Sequence, residues 1–131
     1  MDRIIKFRAW YKKENRWITQ NYHIDCNGDF YPYTDTNEYD WNIDCLQIEI
    51  CQYTGRKDKY GVEIYESDLV NFTANYSTKP CGYMIGQVVF QENQWMLKNE
   101  KGLYSISEET DDFYCKSEVI GNIYENENLL K

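Results

Sequence analysis

The stretch GQVVFQENQWMLKNEKGLYSI, Gly86–Ile106, decides the fold class. It holds three apolar runs, Gly86–Phe90, Trp95–Lys98 and Leu103–Ile106, separated by the polar connections Gln91–Gln94 and Asn99–Gly102. Connections this short cannot make a crossover, so neighbouring runs must lie antiparallel, as a meander. Upstream, Leu69–Phe72 reads as a further strand, and Asn75–Gly82 (NYSTKPCG) has the composition of a loop. Downstream comes the acidic run Ser107–Asp112, followed by Phe113–Cys115 and the apolar Val119–Tyr124, with a helical turn predicted over Asn126–Lys131.

The first half carries the same two-residue period. Ile5, Phe7, Ala9 and Tyr11 alternate with Lys6, Arg8 and Trp10, the pattern of a half-buried strand. Lys12–Arg16 turns the chain, and Trp17–Thr19 suits a returning strand. Asn27-Gly28, between Ile24–Cys26 and Phe30–Tyr31, predicts a hairpin with a type I′ turn, since both residues accept positive φ. Tyr33–Asn42 reads as a loop, and Leu46, Ile48 and Ile50 as alternate positions of another strand. The expected class is all-β and mainly antiparallel. A small SH3-like barrel is expected in the C-terminal half, beside an N-terminal β-hairpin sheet. An α+β arrangement with one short helix near Glu63–Asp68 is the alternative. No Pro- or Gly-rich linker divides the 131 residues, so 1–131 reads as one domain, with 1–52 and 53–131 as candidate sub-lobes.

Composition removes several classes. Aromatics make up 17% of the chain, which a disordered acidic tail would lack. No apolar run approaches the ~20 residues of a membrane-spanning helix, and MDRIIKFRAW interrupts its apolar residues with charge, unlike a secretory signal. The expected setting is the cytoplasm. Cys26, Cys45, Cys51, Cys81 and Cys115 form no C-x-x-C pair and His23 is the sole histidine, so the thiols read as free and no metal or other cofactor is expected.

The net charge of −8 is unevenly distributed. Residues 1–20 carry Arg3, Lys6, Arg8, Lys12, Lys13 and Arg16 against Asp2 and Glu14, a net +4. Residues 21–52 hold seven acids and no Lys or Arg. Arg56, Lys57 and Lys59 against Asp58 make a local +2, and residues 62–131 return to −7. The acidic body would repel a DNA backbone, whereas a basic edge beside an acidic face favours protein contact, head to tail or symmetric.

Three blocks of sequence resemble the YopX family of phage and prophage proteins. Gln52–Val70 (QYTGRKDKYGVEIYESDLV) follows the pattern Q-Y-T-G-x-K-D-K-x-G-x-E-I-Y-E-G-D-I-V. Ile5–Trp10 (IKFRAW) is similar to the family's opening, and Glu118–Asn126 (EVIGNIYEN) to its close. Ser67 stands where the pattern has Gly. Were that glycine at positive φ, Ser would cost about 1–2 kcal/mol, so a tolerant turn is expected there. The resemblance implies a fold and a phage setting, and brings no reaction with it.

The residues themselves nominate two contact surfaces. Lys6, Arg8, Trp10, Arg16 and Trp17 combine cations with aromatic platforms, the elements of a single-strand nucleic-acid binder or of a protein interface. Arg56, Lys57 and Lys59 form a basic tip between Gly55 and Gly61, with no Lys-Ser/Thr after the second glycine to make a P-loop. Ile64, Tyr65, Leu69 and Val70 read as core, and Asp68 as the acceptor of an Asx-type turn. Paired acids such as Glu108-Glu109 and Asp111-Asp112 read as solvated, and no catalytic residue is nominated. The leading expectation is a non-enzymatic accessory protein that assembles with itself or binds a host or phage protein. A nucleic-acid module on the N-terminal face and an enzyme with an acidic site are the alternatives, and no membrane partner is expected.

Overall fold

The computed structural model describes residues 4–76, 79–105 and 117–130, with backbone alone at 73–76, 79–83 and 105. The chain is all-β: its described residues form antiparallel sheets and almost no helix. Its contacts divide it into two compact units, Met1–Phe7 with Gln52–Lys131, and Arg8–Cys51. Strands β1 (Phe7–Tyr11) and β5 (Ile48–Lys57) each run across a boundary. No helix among the described residues is long and apolar enough to cross a membrane.

The larger unit is built on β7 (Asp68–Tyr76), β8 (Lys79–Gln91), β9 (Gln94–Asn99), β10 (Gly102–Ser105) and β11 (Glu118–Asn122). They form one curled, half-barrel sheet in the order β10-β9-β8-β7-β11. The meander expected over Gly86–Ile106 is β8-β9-β10, with Val88 opposite Leu97 and Phe90 opposite Trp95. Val70 and Phe72 point to one face of β7 and meet Ile64, Val88 and Leu97 in the core. Ile64, Leu69 and Val70 are buried as expected, while Tyr65 is half-buried against the Tyr53 ring.

One expectation fails in this unit, and the alternative of a short helix is not realised. Asn75–Gly82 is not a loop where described: β7 and β8 keep pairing outward to Asn75 opposite Pro80 and Tyr76 opposite Lys79, across a register shift after Thr73. Polar composition reports on side chains, whereas a backbone ladder propagates from its buried end. The helix near Glu63–Asp68 is also absent. That stretch is β6 (Glu63–Tyr65), then a turn closed by the Asp68 carboxylate, which accepts the Tyr65 N–H at 2.8 Å. The acidic run Ser107–Asp112 and Phe113–Cys115 lie outside the described residues. The closing helical turn is present, as a 3-10 turn over Glu127–Leu130.

The smaller unit has its own core of Ala9, Tyr11, Ile18, Phe30 and Ile43. Strand β1 pairs with β2 (Arg16–Trp17) and β3 (Tyr22–Ile24) with β4 (Phe30–Pro32). The alternation expected from Ile5 to Tyr11 breaks down: Ile5 and Phe7 are exposed, and Trp10 is buried along with Ala9 and Tyr11. The end of β1 is covered on both faces, with Trp10 packed edge-on against Trp17.

The β3–β4 hairpin forms without the type I′ turn. Only Gly28 takes a positive φ (85°), and its N–H donates to the Asp25 carbonyl at 3.0 Å. The loop is a type I turn followed by a left-handed glycine, selected because Asp25 Oδ1 accepts the N–H groups of Asn27 and Asp29, both at 2.9 Å. Leu46 precedes the strand in which it was expected. It lies in a 3-10 turn, Cys45–Gln47, whose start is capped by the Asp44 side chain.

Candidate functional site

The basic tip of the larger unit is a hydrogen-bonded structure organised by its acid. Asp58 is only 5% exposed. Its Oδ1 accepts the N–H groups of Tyr60 and Val62, and its Oδ2 that of Val119, all at 2.9 Å. Its backbone N–H donates to the Val62 carbonyl, its carbonyl accepts from Gly61, and the neighbouring Lys59 N–H donates to the Ser117 carbonyl. Asp58, one acid among three cations in the sequence, is the residue that fixes the loop. The cue in the sequence is an Asx residue followed at short range by a left-handed glycine. Gly55 and Gly61 have φ of 86° and 81°, in the left-handed region that glycine adopts without strain.

Around this frame Lys57, Lys59, Tyr60 and Val62 are exposed, and the Lys59 ammonium lies 5.0 Å from the Tyr60 ring centroid. Arg56 is half-buried in β5, opposite Ile64. Lys6, in the same unit, donates to Glu63 at 2.7 Å, and that hydrogen bond raises its pKa above the ordinary lysine value.

The remaining nominated residues lie in the smaller unit. Arg8 covers the Trp17 ring with its guanidinium 4.2 Å from the centroid. Trp10 is 4% exposed, so neither of its faces is open to a stacking base. Arg16 bonds Glu14 at 3.1 Å and stands over the Tyr11 ring. The structure therefore gathers Arg8, Trp10 and Trp17 into one packed group, sets Arg16 beside it on β2, and places Lys6 with Glu63.

Sequence reasoning missed a groove of about 340 Å³ in the smaller unit, lined chiefly by Phe30, Tyr31, Tyr39, Leu46, Ile48 and Ile50. Asp29 is in its wall. The Tyr31 hydroxyl donates to Asp25 at 3.2 Å, and Asp44 accepts the Leu46 N–H at 3.1 Å, so two more carboxylates touch lining residues. Leu46 is 87% exposed and Trp41, whose ring meets Tyr39, is 86% exposed. The Asp25 carboxyl lies below the usual range, first through the Asp29 N–H. His23 stacks with both Tyr31 and Tyr33, with Nδ1 2.6 Å from the Tyr33 hydroxyl. A second, polar cavity of about 460 Å³ lies between Arg16, Gln20 and Asp40. The Gln20 amide, 2.8 Å away, holds the Asp40 carboxyl down.

Cys26, Cys45 and Cys51 are free thiols, and no three His, Cys, Asp or Glu side chains gather among the described residues as metal ligands would. The signature blocks do structural work. Thr54 Oγ1 donates to the Ile64 carbonyl at 2.7 Å and accepts the Arg56 N–H at the β5 bulge. Asn122 Oδ1 accepts the N–H groups of Tyr124 and Glu125, and a Cβ on Gly121 would overlap the Asn126 side chain.

These features define an all-β protein of two small units whose signature residues close turns and bulges. The chain belongs to the YopX family: the model of the YopX protein family matches residues 6–131. Its fold is similar to that of protein EF1440 from Enterococcus faecalis, at 24% identity and a TM-score of 0.69 over 99% of this chain and 100% of that one. It is similar also to the YopX protein from Bacillus subtilis, at 20% identity and a TM-score of 0.61 over 95% and 97% of the two chains. No curated protein matches the chain.

Proposed function

We propose that the chain is a phage or prophage accessory protein that works in the cytoplasm of its bacterial host by binding protein, itself or a host protein, and not by catalysis. The observation that supports this is large apolar side chains left in water within stretches of the sequence whose charge is largely of one sign. Trp41 and Leu46 stand in a region without Lys or Arg, and Tyr60, 68% exposed, stands beside Lys59. Surfaces of that composition are typical of protein contacts. The expected SH3-like character of the larger unit draws on its curled meander and belongs to the same reading, since such sheets serve many binding proteins.

Molar mass by light scattering, followed by capture from host lysate, tests the proposal. An oligomer or a specific partner supports it, and a monomer that captures nothing overturns it. Binding to single-stranded DNA that survives moderate salt and weakens in Arg8→Ala would favour a nucleic-acid module instead. The cover of Arg8 over Trp17 and the burial of Trp10 weigh against that outcome.

A further inference from the structure

Two surfaces are complementary in charge and similar in apolar character. The groove of the smaller unit has Asp29 in its wall and Asp25 and Asp44 bonded to its lining residues, with no cation anywhere in residues 21–52. The tip of the larger unit presents Lys57 and Lys59 around Tyr60 and Val62. Three other cations are engaged within their own units: Lys6 with Glu63, Lys12 with Glu49 and Arg16 with Glu14. Among the described residues, neither Lys57 nor Lys59 forms an ion pair.

We propose that copies of this chain join head to tail, the Lys57–Val62 tip of one seated in the Tyr31–Tyr39–Leu46 groove of the next. This rests on the protein-binding reading above and names its occupant. Symmetric use of either surface is opposed by its own charge, because groove against groove sets carboxylates face to face and tip against tip sets lysines face to face. Tip against groove joins opposite signs, and repeated from copy to copy such a contact yields rings or open chains. Size agrees, since a groove of about 340 Å³ admits an aromatic side chain such as Tyr60 with a neighbouring stem. Both sides are preorganised. Asp58 fixes the tip, and the Asp25 turn and the Asp44 cap fix the groove rim, so little ordering accompanies contact.

Complementation between two variants tests the proposal, with assembly read by analytical ultracentrifugation. The tip variant is Lys57→Ser/Lys59→Ser/Tyr60→Ser, and the groove variant Asp29→Lys/Leu46→Lys. All five side chains are exposed, and circular dichroism with a thermal melt confirms that each variant folds. Should one misfold, Lys59→Gln or Leu46→Ser replaces it. The wild type is expected to assemble, each variant alone to associate at least tenfold more weakly, and their mixture to stop at a one-to-one dimer, in which the intact groove holds the intact tip. Folded variants that assemble like the wild type, or a mixture that stays monomeric, would overturn the proposal. A monomeric wild type overturns it too. Capture of a host protein by that monomer would leave the broader protein-binding reading standing.

Discussion

Ser67 has a left-handed backbone, φ 73°, in the tight connection between β6 and β7. Its N–H donates to the Val88 carbonyl and its carbonyl accepts from Ile123, so the surroundings hold it there. The tolerant turn expected from sequence is thus a demanding one, and serine tolerates it at a cost. Ser67→Gly is expected to raise stability by about 1 kcal/mol, read as a higher urea midpoint at unchanged slope. Asp58 makes the opposite case. Asp58→Ala leaves three backbone N–H groups without their acceptor and is expected to cost about 3 kcal/mol or more. Asp58→Asn should cost less, because its remaining amide oxygen still serves one side of the loop, and urea unfolding of the two variants separates these outcomes.

Strands were readable wherever apolar side chains alternate, because one covered face imposes a period of two. Apolar runs between short polar connections sufficed for the inner part of β8 and for β9 and β10, whereas alternation misread Ile5–Tyr11, where both faces of the strand's end are covered. What the pattern does not contain is which carboxylate or amide closes a turn. The dipeptide Asn27-Gly28 announced a hairpin, yet Asp25, two residues earlier, chose its geometry by accepting two N–H groups. That choice has a pH signature. The folded carboxyl of Asp25 titrates below the ordinary aspartate value near 3.8, so its contribution is present above that value and is lost as pH falls through the folded pKa. Acid unfolding followed by tyrosine and tryptophan fluorescence should therefore be shallower in Asp25→Asn below about pH 4. An unchanged acid limb would mean that the turn bonds have no energetic weight.

For the molecule as a whole, the family and the β class were legible because long blocks of sequence encode them. The candidate surfaces were legible only in part. Charge segregation along the chain pointed to the basic tip, but the groove assembles Phe30, Tyr39, Leu46 and Ile50 from separate elements, and no single window of sequence contains it. Burial likewise removed Trp10 from the surface through contact with Trp17, a pairing across a hairpin that alternation alone does not reveal. If opposite charges guide association, the assembly should weaken as ionic strength rises. Sedimentation between low and moderate salt, spanning Debye lengths from about 30 to 8 Å, checks this.

The division of the chain also bears on how it is made. The larger unit takes its first strand residues from the start of the sequence and everything else from Gln52 onward. On the ribosome Lys6 emerges early, while the Tyr53 N–H that its carbonyl accepts and the Glu63 carboxylate that it binds are still to be synthesised. The smaller unit, continuous from Arg8 to Cys51, has its whole core available first. At ~5–20 residues per second the leading segment waits for seconds, tethered to an already complete neighbour, before its own unit can close around it.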